Sequence, residues 1–328
     1  MNIYITLDYE LFFGPKSGSV DKCIIEPTEN LLKILDPHGI KASFFVDAGY
    51  LIALEKQRAD YQELQKDYIK VTAQIKDLAS NGHGIELHVH PHWEDSYYDG
   101  QKWVFDTSRY KLSDFGEDEV HNIVTNYTGV LKRISGKSPI AYRAGGWSAQ
   151  PFNAIGKALK ANGIFIDSSV YPQGYYSSNN QSFDFRDVQP YQTDYQFSKN
   201  LTIPDVNGDF KEIPISSIKV SPLFFWRFAV KKLKKNDEHN SLGDGAAVPI
   251  SKKEALRLMT STSYSVVSID GFKISLIHKA LNKYTNKTNN HGSFVLIGHP
   301  KAFTKYSLKK LKEFVDITVT QHSYTIYF

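Results

Sequence analysis

An α/β fold with parallel strands and crossover helices follows from three features of the chain. Strand-like and helix-like patterns alternate up to residue 167, the alternation returns over 293–327, and apolar strands end repeatedly in polar side chains. Such alternation gives parallel strands, either doubly wound or closed as a barrel. The 328 residues are 41% hydrophobic and 23% charged, which excludes a largely disordered chain.

The elements follow in order. Residues 2–7 (N-I-Y-I-T-L) are β-branched and aromatic and end against Asp8 and Glu10, as a strand does. Pro27 opens a helix whose apolar side holds Leu31, Leu32, Ile34 and Leu35 before Gly39. K-A-S-F-F-V (41–46) is a short buried strand, and a long amphipathic stretch over 49–81 ends at Asn81-Gly82. G-I-E-L-H-V-H (84–90) is again strand-like, followed by an aromatic, polar loop at 93–115. The pattern then predicts helices at 117–135 and 150–162, with strands at 139–143 and 164–167. It lapses over 170–210, which is rich in Tyr, Gln, Ser and Asn. Helices at 251–262, 270–285 and 306–317 and strands at 293–298 and 322–327 complete the chain. The arrangement expected is one domain over 1–328 carrying an insertion at about 170–290.

Composition narrows the function. Lys+Arg 39 against Asp+Glu 35 leaves a net charge of +4, too small an excess to predict a nucleic-acid partner. The single cysteine, Cys23, excludes an intrachain disulfide and a cysteine-rich zinc site. Any transition-metal site must therefore use the 11 histidines and carboxylates. The start of the chain lacks a basic signal-peptide region, and no apolar run reaches the ~18 residues of a spanning helix. A cytoplasmic enzyme is the expectation. S-P-L-F-F-W-R-F-A-V-K-K-L-K-K (221–235) joins an aromatic run to Lys231, Lys232, Lys234 and Lys235, a pattern suited to peripheral contact with an anionic membrane.

Four histidines fall in G-H-G-I-E-L-H-V-H-P-H-W (82–93). Pro91 argues against a helix, and period two puts Glu86, His88 and His90 on one strand face. A turn after the strand brings His92 back beside His88, a pair suited to a compact metal site completed by another ligand. Asp8 and Glu10, two apart at the end of the first strand, supply carboxylates, one to ligate and one to take a proton. Y-R-A-G-G-W-S (142–148) presents Arg143 and Trp147 after a strand, and F-V-L-I-G-H-P (294–300) delivers His299. Asp8, His88, Arg143, Asp167 and His299 all occupy carboxyl ends of strands, where parallel α/β folds place their ligands.

These motifs resemble the polysaccharide deacetylase family (carbohydrate esterase family 4). T-L-D-Y-E (6–10) resembles its acidic motif, and Gly82-His83 through His88 and His92 its His-x-x-x-His motif. R-A-G-G-W (143–147), I-D-S-S (166–169) and L-I-G-H (296–299) resemble the remaining three. The resemblance implies a distorted seven-stranded (β/α) barrel and one divalent metal ion, commonly zinc. It also implies a carbohydrate substrate from which an acyl group, typically N-acetyl, is removed. Asp8 would be the general base, Arg143 its orienting partner and His299 the proton donor to the leaving group. Glu10 or Asp8 with His88 and His92 would hold the metal, with His90 the fallback if Glu10 cannot reach. Trp93 and Trp147, in aromatic loops, and Asp167 are the expected substrate contacts. The family's adjacent acids are here separated by Tyr9, and the proline of its third motif is missing. The string H-V-H-P-H-W (88–93) resembles a divergent branch linked to bacterial surface-glycan synthesis. A non-catalytic carbohydrate-binding relative, or an amidohydrolase acting on a non-sugar C–N bond, is the alternative.

Overall fold

The computed structural model describes residues 1–233 and 237–327. Its sheet is built from β1 (Asn2–Tyr9), β2 (Ser43–Asp47), β3 (Gly84–Val89), β4 (Ala141–Ala144) and β5 (Ile166–Asp167). Tyr195–Phe197 (β6) and Phe210–Glu212 (β7) follow, then the ribbon pair Ser217–Val220 (β8) and Ser263–Val266 (β9), then Ser293–Gly298 (β10) and Ser323–Thr325 (β11). Across the main sheet the order is β6-β7-β5-β4-β3-β2-β1-β10. The C-terminal half of β1 pairs with β2 and its N-terminal half with β11. Every pairing in this sheet is parallel except β6 with β7. The result is a curled half-barrel, matching the (β/α) barrel expected from the motifs.

Irregular backbone links the two sides of the curl. After β7 the amides of Ile213 and Ile215 donate to Asp167 and Val170, and that of Ser216 donates to Val295 at 3.0 Å. Ile269 N–H then donates to Ile297 of β10 at 2.8 Å. Parts of the span 170–290 thus belong to the sheet, while the remainder forms helices and ribbons outside it.

Crossover helices cover the sheet: α1 (Glu26–Leu35), α2 (Ala48–Gln57), α3 (Gln62–Ser80), α4 (Glu117–Ser135) and α5 (Asn153–Ala161). Beyond them come α6 (Pro222–Leu233), α7 (Lys252–Thr260), α8 (Ile277–Lys287) and α9 (Lys305–Thr318). Proline sits in the first turn of α1, where its missing N–H costs nothing. The helix expected over 49–81 is two helices. The first ends at Gln57, and Tyr61 (φ −130°, ψ 115°), the N-cap of the second, packs its ring edge-on against Tyr98 at 5.1 Å, a contact remote in sequence. The helix expected over 270–285 begins as a 3-10 turn, Gly271–Leu276. Of the basic segment, Lys234 and Lys235 lie outside the described residues, and Lys231 is exposed on α6. No helix among the described residues is long and apolar enough to cross a membrane.

Every residue of β2, β3 and β10 is buried, as expected for parallel strands covered on both faces. That leaves polar side chains within the sheet in need of partners. Glu86 on β3 accepts from the amides of Ile140 and Ala141 at 2.9 and 2.8 Å and so holds the start of β4. Burial pushes its carboxyl up to about 7. Because the folded-state value lies above the unfolded one, the native state favours the protonated form. The associated stability is present below pH ~4.5 and lost as pH rises through ~7. Glu86→Gln should remove this loss: urea melts should match wild type near pH 4.5 and exceed it by up to about 3 kcal/mol at pH 8. Parallel stability–pH curves for the two proteins would reject the assignment.

Candidate active site

Register brings the functional side chains together at the carboxyl end of the half-barrel. Asp47 stands opposite His88, His88 opposite Arg143, and Leu7 opposite Gly298, so Asp8 and His299 leave adjacent strands side by side.

Arg143 is fully buried. Its guanidinium bonds Asp8 Oδ1 at 2.6 Å, Thr6 Oγ1 at 3.0 Å, and both the carbonyl and hydroxyl of Ser168. It also lies over the Phe45 ring at 4.0 Å. Asp8 is thereby held with Oδ2 turned toward His299 Nε2 (3.5 Å) and His88 Nε2 (3.8 Å). On the other side, His299 Nδ1 pairs with Asp270 Oδ2 at 2.8 Å, while its amide donates to Asp270 Oδ1. Burial opposes a proton on His299, but Asp270 first and then Asp8 outweigh it, so the pKa is raised.

Glu10, His88 and His90 form the cluster able to hold a cation. One ligating atom from each lies within 4.8 Å of the others, and all three residues are buried. Glu10 Oε2 is 2.7 Å from His90 Nε2 and 3.3 Å from His88 Nε2. The His90 approach lacks hydrogen-bond alignment, which leaves Oε2 a buried acceptor without a donor. His88 Nδ1 is 2.9 Å from the Arg143 carbonyl, which can only accept. Nδ1 therefore carries the proton and Nε2 faces the carboxylates, the outer-shell arrangement that metal-ligating histidines need.

Burial opposes a charge on His88, yet Asp8 and Glu10 overcome it and lift the pKa to about 9. The field that favours a proton there favours a metal cation equally. Burial pushes His90 down to about 4, so it is the neutral imidazole a metal requires. The donor set thus fits a divalent ion.

His92 does not join this cluster. The turn Pro91–Glu94 seals it in an aromatic slot, stacked on Tyr110 and Trp93, with neither ring nitrogen hydrogen-bonded. Burial pushes its pKa well below the usual value. His90 takes the place expected of His92 because alternation along β3 carries it to the face of His88. Gly145 makes room, since a Cβ there would come within 2.5 Å of His90 Nδ1. His83 is also structural, with Nδ1 accepting from the Ala42 amide at 3.1 Å.

The expected substrate contacts divide. Trp93 is core: its Nε1 donates to Asp47 Oδ2 at 2.6 Å and its ring packs among Tyr50, Trp103 and Phe105. Asp167 is fully buried, takes Ser169's amide and hydroxyl, and sits beside Glu212. Burial raises both of those carboxyls, as in a pair sharing a proton. Neither residue offers a face to substrate. Trp147 is half-buried at left-handed φ (58°) with its ring edge-on to Tyr171 and Phe183.

Three groups lay beyond sequence reasoning. Lys301 Nζ is 2.9 Å from Glu10 Oε1, donates also to the Leu11 carbonyl, and lies over the rings of Phe12 and Phe13. Asp47 is raised to about 7 by burial, with Glu10 adding to the effect. Asp270 comes from the span where the pattern lapses. The only available hint for Lys301 was its place two residues beyond His299.

Breaking the buried Glu10–Lys301 pair should be costly. Lys301→Met should destabilise the protein by about 3 kcal/mol, and adding Glu10→Gln should restore much of that. Chemical denaturation of the double-mutant cycle measures the coupling; additive losses would dismiss the pair as a structural element.

Comparison with family models and with curated proteins returns no match. Solved structures do resemble the chain. A GH57 branching enzyme from Thermococcus kodakaraensis, in complex with glucose, is 11% identical over 99% of this chain and 70% of its own, with a TM-score of 0.50. A polysaccharide deacetylase from Bacillus cereus is 13% identical over 100% of this chain and 92% of its own, with a TM-score of 0.42. A peptidoglycan N-acetylglucosamine deacetylase is 22% identical over 52% of this chain and 57% of its own, with a TM-score of 0.32. At such identities the likeness is one of fold.

Proposed function

We propose that the chain is a metal-dependent hydrolase of the polysaccharide deacetylase type, removing an acyl group, typically N-acetyl, from a sugar. The observation that carries this reading is the convergence of three units at one end of the half-barrel. Glu10, His88 and His90 form a ligand set, Asp8 is clamped by Arg143, and His299 is held by Asp270. The motif resemblance supports it. A carbohydrate-binding protein without catalysis would not need an aligned acid and base, and the motif resemblance points to a sugar rather than a non-sugar C–N substrate.

Glu10 Oε2, His88 Nε2 and His90 Nε2 would hold the ion, with zinc suited to this imidazole and carboxylate set. When bound, a divalent ion would polarise the acyl carbonyl and acidify a water molecule. Asp8 Oδ2 then takes a proton from the attacking water, with Oδ1 fixed by Arg143. His299 delivers a proton from Nε2 to the leaving amine or alcohol, while Asp270 keeps Nδ1 protonated and the ring in place. A bacterial surface glycan or its precursor is the substrate class we assign, and the cytoplasm the compartment.

Elemental analysis should find about one divalent ion per chain in the wild type. His90→Gln should lose it and His92→Gln should keep it. The reverse outcome would return the ligand role to the His88/His92 spacing. Acetate release from N-acetylglucosamine oligomers should stop on chelation and resume with Zn2+, and Asp8→Asn should lower kcat by about 10²–10⁴-fold.

The pH profile tests His299. As an acid with a raised pKa it supports activity until pH rises through that value, so removing the Asp270 charge should move the alkaline limb downward. Asp270→Asn should therefore lose kcat/KM at lower pH than wild type. An unmoved limb would remove His299 from the acid role.

A further inference from the structure

A cavity of about 820 Å³ is walled by α6, α7 and the hairpin Tyr175–Ser177/Ser182–Asp184, and Trp147, two residues beyond the Gly145 that abuts His90, also lines it. We infer that it binds the hydrocarbon chain of an amphipathic substrate whose polar head is processed at the Glu10–His88–His90 cluster. This rests on the proposed glycan hydrolase and names its substrate class as a sugar carrying an apolar tail.

Trp147, Gln181 and Lys273 line the cavity on segments that lead back to the proposed site. Gln181 Nε2 donates to the Gly146 carbonyl at 2.7 Å, tying the hairpin to the loop that begins at Arg143 and passes against His90. Lys273 lies three residues beyond Asp270, the partner of His299. The lining also holds Phe224, Phe228, Val248, Ile250 and Leu258, whose side chains have no hydrogen-bonding group. Sugar hydroxyls would be stripped of water there without compensation, whereas methylenes gain. The arginines present are paired, Arg186 with Asp184 and Arg257 with Glu254.

The two helices are also thinly covered. No residue of α7 is buried, and the inward side of α6 (Phe224, Phe225, Phe228) is only half covered. Phe224 and Phe228 pack against Phe272, yet a volume within the range of ligand sites remains beside them. Trp147 points the same way. A tryptophan at left-handed φ is strained, and such strain clusters at ligand clamps.

Calorimetric titration of the full chain with octyl and methyl N-acetyl-β-glucosaminide tests the assignment. Each fully buried methylene contributes up to about fourfold in affinity, so the octyl compound should bind at least ~30-fold tighter after ordering costs. Phe228→Glu, and separately Leu258→Asn should the first fail to fold, should bring the two compounds within about threefold while leaving hydrolysis of the methyl compound unchanged. An 11-(dansylamino)undecanoate titration serves as a control independent of deacylation. If neither glycoside is hydrolysed but the dansyl probe binds and Phe228→Glu abolishes it, the cavity stands and the hydrolase reading falls. Equal affinity for both glycosides, with no dansyl binding, overturns the cavity proposal. So does tail-dependent binding that survives both substitutions.

Discussion

Arg143 has no solvent exposure, and its contacts span three strands' worth of the half-barrel. An unpaired guanidinium in that position would be prohibitively costly, so the surrounding groups are arranged as its partners. Asp8 supplies the opposite charge, Thr6 and Ser168 take the remaining donors, and Phe45 covers one face. Ser168 in turn donates to the Ile213 carbonyl and meets the Tyr327 hydroxyl, extending the network to the irregular closure and the end of the chain. The Arg143 carbonyl meanwhile sets the tautomer of His88. A single side chain and its own backbone thus orient the proposed base and one proposed ligand.

The rest of the site follows a rule of paired charges. Asp8 faces Arg143, Glu10 faces Lys301, and Asp270 faces His299. Each acid presents one oxygen to a structural partner, which leaves Asp8 and Glu10 a second oxygen directed inward. For Glu10 and Asp270 burial that would otherwise force neutralisation is outweighed by neighbouring charge, which holds both carboxyls below the usual range. Asp167 and Glu212 show the other solution: without a cation bonded to them, they are pushed toward a shared proton and serve structure.

Much of the fold was legible because local pattern and global fold agree. The strands at 2–7, 41–46, 84–90 and 293–298 have apolar runs bounded by polar ends, and burial on both faces leaves little else they could form. The aromatic and polar span after residue 170 resisted reading. Its strands are three or four residues long, too short for periodicity, and β7 is placed by pairing with β5 and β6 by pairing with β7. The break between α2 and α3 was likewise invisible: at its end Tyr61 meets Tyr98, a contact remote in sequence.

Within the site, sequence by itself determined which groups are chemically capable: Asp8, Glu10, Arg143, His299 and a run of histidines at strand ends. Spacing also determined that His88 and His90 share a face, because side-chain alternation is a local property of the strand. Tertiary structure put His90 rather than His92 beside Glu10 and His88, with Trp93 and Tyr110 packed around the second ring. It also turned Trp93 and Asp167 inward, because their fate depends on Asp47 and Glu212, contributed by other strands. Asp270 and Lys301 became visible only there as well. A carboxylate and an ammonium acquire a role from the charge placed opposite them, and that placement is long-range.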